Sequence, residues 1–159
     1  MAKVIAVGLD ELAKELGTVA DHVGNIASAA LYEGSGFMAD KIRTAIDKLE
    51  AEEDRKHVRN HVLDYEKEAL EKGLTIEKFK KDRGRGMTET AITFHGRSDH
   101  KTAKYPNGIP TILLARSIHK GTSFRRANRF FPRTVNRYRK EAEDLMVKKA
   151  EEEMRKDIK

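Results

Sequence analysis

From Leu9 to Leu49 the apolar residues Leu9, Leu12, Leu16, Val19, Val23, Ile26, Ala30, Phe37, Ile42, Ile46 and Leu49 recur at spacings of mostly three and four. That rhythm returns a side chain to one face of a helix at each turn, so it predicts a long helical region. Ahead of it, residues 3–7 read as a short strand, and Asp10 stands where an N-cap is expected. Gly17, Gly24, Gly34 and Gly36 weaken the helix on propensity grounds. Two consequences are open: a break at Gly17, which is the preferred reading, or a small-residue contact face over residues 27–36.

Residues 50–72 are strongly charged, and Val58, Val62, Tyr65 and Ala69 give them only a thin apolar stripe. A thin stripe suits a helix that covers something from outside, and Gly73 ends it. Thr75 then caps a further short helix reaching Phe79, after which residues 82–86 form a basic loop.

Residues 87–95 set Thr and Glu against Ala91, Ile92 and Phe94, as in a partly exposed strand. Residues 96–107 are polar and loop-like. Ile112, Leu113, Ala115 and Ile118 are spaced for a short buried helix that Gly121 would stop. Pro132 sits where a helix start tolerates proline, and Val135, Tyr138, Ala142, Leu145, Met146 and Met154 mark an amphipathic last helix. Its tail, residues 148–159, is expected to fray.

These elements predict one α+β domain: a small β-sheet packed by long helices, with a helical insertion in the middle and a long C-terminal helix. Residues 1–49 supply the strand and first long helix, 50–82 the charged helical insertion, 83–131 a strand, short helix and basic loop, and 132–159 the C-terminal helix.

Composition sharpens this picture. At 159 residues the chain is long enough for one core and too short for two comfortable ones. Its hydrophobic fraction of 38% against 36% charged residues points to long solvated helices or to surface that partners cover. With no cysteine, disulfides, thiolate metal sites and cysteine nucleophiles are excluded, and synthesis in a reducing cytoplasm fits. The opening residues match neither a signal peptide nor a membrane span, so no membrane partner is expected.

The net charge of +6 is unevenly placed. Acids slightly outnumber bases up to Asp82, whereas between Arg83 and Lys140 the only acids are Glu89 and Asp99. The basic stretch is suited to phosphate or to an acidic protein face.

No catalytic or metal constellation is complete. His57 and His61 lie four apart, but Val58 stands where a zincin helix needs its Glu, and no third ligand is evident. Gly34-Ser35-Gly36 is too short for a nucleophile elbow, and Arg83-Gly84-Arg85-Gly86 lacks the spacing and ending of a phosphate loop. Glu52 and Glu53 read as a solvated face. The chain is therefore expected to be non-enzymatic, with no cofactor and no metal.

The most informative stretch is residues 117–133, which mixes arginine with aromatics. Arg125, Arg126, Arg129 and Arg133 could meet phosphate while Phe124 or Phe130 stacks on bases, which describes a free nucleic-acid-binding protein. The preferred alternative is that Phe130 and Phe131 anchor the last helix in the core, with the arginines facing water or an acidic neighbour.

Two anchors carry a family resemblance. One is Val7-Gly8-Leu9-Asp10-Glu11-Leu12 with the Ala-rich helix ending Ala39-Asp40-Lys41-Ile42-Arg43. The other runs from Asn107-Gly108-Ile109-Pro110 through Leu114-Ala115-Arg116 and Gly121-Thr122-Ser123 to Ala127, Phe130, Phe131 and Pro132. In their order and spacing, over about half the chain, these resemble the bacteriophage tail-completion or neck (head-tail joining) family related to the minor tail protein Z of lambda. The chain departs from that pattern in having His119-Lys120 before the Gly-Thr pair in place of Glu-Phe, and Arg129 in place of a proline. It also lacks the family's Pro-Val-Asp-Thr-Gly stretch, where residues 50–82 stand instead.

The resemblance implies a virion structural protein without chemistry of its own, synthesised in the host cytoplasm and built into the neck or upper tail. It would form a homo-oligomeric ring around the DNA channel, docking between the connector or adaptor and the tail terminator or tail tube. Gly121, Thr122, Phe130, Phe131 and Pro132 would then be core anchors of the shared motif. Arg125, Arg126, Arg129 and Arg133 would make docking contacts or non-specific contacts with genomic DNA.

Overall fold

The computed structural model describes residues 9–52, 61–82 and 87–157. The strand expected at residues 3–7 lies outside them. Helix α1 runs from Leu9 to Asp47 without interruption, so the break expected at Gly17 is absent. A glycine costs a helix only about 1 kcal/mol relative to alanine, and thirty-nine residues of continuous hydrogen bonding absorb that cost. The alternative reading, a small-residue face, holds at Gly34. A Cβ built there would collide with Cε and Cγ of Met146 on the last helix, so glycine lets the two helices close up.

Among its described residues, the helical insertion expected over residues 50–82 is mostly not helical. Ala51–Glu52 forms β1, which pairs in parallel with β2, Val62–Leu63, and only α2, Asp64–Gly73, is a helix. Residues 53–60 lie outside the described set. Gly73 ends α2 as expected, but the chain then turns directly into β3, Leu74–Ile76, where a capped helix from Thr75 to Phe79 was expected. Leu74 is buried and Thr75 exposed, so the strand turns successive side chains to opposite faces. Lys67 of α2 reaches back to the end of α1 and donates to the carbonyl oxygens of Asp47 (2.7 Å) and Leu49 (3.1 Å), supplying the cation that α1 lacks in its own last turn.

The strand expected at 87–95 is present as β5, Met87–Glu89, and β6, Ile92–Phe94. β6 pairs antiparallel with β3, and β5 with β4, Lys80–Asp82. The register shifts by one between the two halves: Ile76 faces Ile92, but Lys80 faces Glu89, so three residues oppose two. This is a bulge, and Thr90 Oγ1 stitches it by donating to the Glu77 carbonyl at 2.7 Å.

Helix α3, Thr111–Lys120, starts after Pro110 and, as expected, stops at Gly121. Its buried side is Thr111, Leu114, Ala115 and Ile118, while Ile112 and Leu113 face outward, contrary to the sequence reading. Helix α4, Phe130–Asp157, has Pro132 in its first turn, where the missing N–H costs nothing. Instead of fraying from residue 148, it continues to Asp157. Lys149 bridges Glu153 at 3.1 Å, and Glu153 in turn bridges Lys156 at 2.8 Å.

α1 and α4 pack antiparallel, with Gly34 against Met146 and Phe37 edge-on to Tyr138, their ring centroids 6.3 Å apart. The core sits at the C-terminal half of α1, where Ile42 and Ile46 meet Val62, Leu70, Phe94, Ile118 and Phe130. The architecture is α+β: among the described residues, four helices with small strand pairs at one end of a long two-helix shaft.

Candidate nucleic-acid interface

The loop between α3 and α4 decides which of the arginines can reach a ligand. Gly121 leaves α3 with φ +74°, and a Cβ there would lie 2.8 Å from the Ala127 nitrogen and 2.9 Å from the Arg125 oxygen. Only glycine fits that backbone. Thr122 and Arg125 then exchange backbone hydrogen bonds (Thr122 N–H to Arg125 O, 2.9 Å; Arg125 N–H to Thr122 O, 3.3 Å), closing a turn with Ser123 and Phe124 at its tip. Asn128 N–H donates to the Ile118 carbonyl at 2.8 Å and folds the loop back over the end of α3.

The tip position pushes Phe124 into solvent, 64% exposed, and turns Arg125 inward, 4% exposed. Arg125 Nη2 donates to Oε2 of Glu66 at 2.5 Å, and that same oxygen accepts the Leu63 N–H at 2.9 Å. Arg125 is therefore not a docking or DNA contact. Its guanidinium is committed to α2, and sequence alone offered no sign of a buried partner fifty-nine positions away.

Arg126, Arg129 and Arg133 are exposed, and none makes an ion pair among the described residues. Arg129 and Arg133 line a cleft of about 730 Å³ with His119, Lys120, Ala127, Pro132 and Asn136. No acid lines it. The cleft opens where α3 ends and α4 begins, so Lys120 and His119 from one helix face Arg129 and Arg133 from the other. Charges of one sign gathered in a concave site raise the local potential toward anions, and arginine is suited to bidentate phosphate contact. His119 and Lys120 were seen in the sequence only as departures from a family pattern, although their place beside Gly121 put them at a helix end.

The motif residues divide by role. Phe130 is buried in the core, and Phe131 packs against that core with its ring centroid 6.1 Å from that of Phe94. Gly121 and the backbone of Thr122 shape the loop, while Pro132 borders the cleft. Phe130 therefore cannot stack on a base; Phe124 alone of the two proposed aromatics is free to do so.

His57 lies outside the described residues. His61 sits at a bend before β2, not on a helix, with Nδ1 2.9 Å from Oε2 of Glu50. Among the described residues no three His, Cys, Asp or Glu side chains gather as a metal site would require. No described helix is long and apolar enough to cross a membrane.

Comparison with protein-family models, curated proteins and solved structures finds no match.

Proposed function

We propose that the protein is a structural component of a tailed-phage virion, a neck or tail-completion protein that forms a ring at the head-tail junction around the DNA channel. The observation that carries this reading is apolar surface along the two-helix shaft. Val147 and Met154 are exposed and seven residues apart, hence on one face of α4, while Val23 and Tyr32 project from α1. Apolar side chains at heptad spacing form a seam for another helix, as a laterally packed ring requires.

The basic cleft supports the same reading. In a ring, Lys120, Arg129 and Arg133 of every copy would repeat around the axis and present cations to a passing phosphate backbone without reading its sequence. The motif resemblance at residues 107–132 points the same way.

Quantitative mass spectrometry of purified particles tests it. A low, ring-like copy number relative to the connector is expected; absence from mature particles overturns the reading.

A second reading, a free nucleic-acid-binding protein, is favoured by one observation: Phe124 stands exposed on the same loop as Arg126 and Arg129. Tight, salt-sensitive binding by the isolated chain would select it, since a channel must let DNA slide.

A further inference from the structure

β6 has an open edge. His95 N–H donates to the Gly73 carbonyl and Glu77 N–H to the Ala91 carbonyl, so residues 91, 93 and 95 turn their backbone groups toward β3. By alternation, the N–H and C=O groups of Ile92 and Phe94 point the other way, and among the described residues nothing bonds them. Further along, that side is occupied by the chain itself: Ser98 N–H donates to the Ile109 carbonyl and Thr111 N–H to the Gly96 carbonyl. The stretch beside Ile92 and Phe94 is left over.

An apolar groove of about 440 Å³ runs along this open edge. Ile92, Thr93 and Phe94 all border it, although consecutive strand side chains point to opposite faces, so it follows the strand's edge and not one face. Ile112, Phe130 and Phe131 form its far wall, which accounts for the outward, exposed Ile112 of α3. Unpaired strand backbone beside an apolar trough is the arrangement that accepts an added strand.

We propose that the added strand is residues 3–7 of a second copy of this chain. The sequence Lys3-Val4-Ile5-Ala6-Val7 has the composition of a strand, and β-addition would seat alternate apolar side chains in the groove. A protomer cannot fill its own groove. β6 packs in the core with Met38 and Ile42 of α1, and at 1.5 Å per residue the helix carries Leu9 roughly 40 Å or more from there. Six further residues reach back only about 20 Å, even fully extended.

Arg116 and Lys120 line the groove, and Asp10 and Glu11 follow the donated segment in the sequence, at the opposite end of it from its one cation, Lys3. Each copy would donate a strand at one end and accept one at the other, the heterologous kind of contact from which rings are built. The inference rests on the ring reading and supplies its joint.

The test uses the full chain, which has no native cysteine. Two single variants, Ile5→Cys and Ile92→Cys, are purified, mixed and oxidised. A disulfide between the two different chains is expected, and it should disappear when Ile5→Cys is combined with Val7→Asp. Light scattering of Ile5→Asp should show the wild-type multimer falling to monomer. A wild-type multimer that persists in Ile5→Asp, or that never forms the mixed disulfide, overturns the strand exchange while leaving the ring itself standing. A wild type that is monomeric at every concentration, alone and with connector, overturns both.

Discussion

Arg125 and Glu66 form a buried ion pair that ties the α3–α4 loop to the first turn of α2. Their side chains are only 2% and 6% exposed, so neither charge has bulk water to fall back on. Glu66 also accepts the Leu63 N–H, which makes one carboxylate the joint between a helix start, a strand end and a loop. Removing one partner leaves the other charge buried and unpaired, at a cost of about 3–5 kcal/mol. Arg125→Ala and Glu66→Ala should each lower unfolding stability by that order in urea titration. The double replacement Arg125→Met with Glu66→Gln should recover most of the loss, because it removes both charges together and keeps an acceptor for the Leu63 N–H. Equal loss in single and double variants would assign the effect to packing alone.

Gly121 stands at the start of the same loop and admits no substitute. Its backbone, φ +74° and ψ 175°, lies in a region that only glycine populates, and the atoms a Cβ would strike are backbone atoms of residues 125 and 127. Gly121→Ala should cost at least about 1–3 kcal/mol from the dihedral strain, with the clash adding to it. It should also displace Arg125, so its cost and that of Arg125→Ala should fall short of additive in a double-mutant cycle.

Gly34 offers a contrast, since the neighbours of a Cβ built there are side-chain atoms of Met146, Cγ at 2.5 Å and Sδ at 3.0 Å as well as the terminal Cε. Gly34→Ala gains about 1 kcal/mol of helix propensity but forces the whole methionine side chain to swing away from Cγ outward, so thermal unfolding should show the two effects offsetting to within about 1 kcal/mol. Gly34→Val cannot be absorbed that way. It overpacks the α1–α4 crossing and should destabilise by about 1–3 kcal/mol.

The long-period features of this fold were legible in the sequence, and the short ones were not. α1, α3 and α4 announce themselves through repeated spacing, and Gly73 and Gly121 mark true helix ends. Strands of two or three residues, such as β1 and β3, carry too few positions for a period, so the charged composition of residues 50–82 was read as helix. Of the candidate site, Arg129 and Arg133 follow from their exposed helix-start positions. Arg125 could not be separated from its neighbours, because its direction depends on a turn whose closure is a tertiary fact. The same turn decides that Phe124, and not Phe130, faces solvent.

The basic cleft makes a quantitative statement about salt. Arg129 and Arg133 are exposed and share one cleft with Lys120, so each is positioned to neutralise a phosphate. If each contacts one phosphate in duplex DNA, replacing either by alanine should reduce the slope of log affinity against log salt by about 0.9. Arg125→Ala should leave that slope unchanged wherever the protein remains folded, because its guanidinium is held by Glu66. The measurement is fluorescence anisotropy of a labelled duplex across a salt series. An Arg125→Ala slope that falls as far as the Arg129→Ala slope would mean that the loop opens to meet DNA.

Assembly should depend on the α4 seam. Val147 is 58% exposed and Met154 45%, and their spacing of seven residues puts both on one face of α4. Val147→Glu with Met154→Glu should leave the thermal unfolding midpoint of the protomer close to that of wild type, since neither side chain is in the core. The same double variant should abolish rings in electron micrographs of the purified chain, because a charge in a helix-packing seam is desolvated without a partner. Rings that survive it would place the lateral contact elsewhere, on the open edge of β6 alone. Rings lost in this variant and in Ile5→Asp alike would mean that neighbouring copies are held at both ends of the shaft.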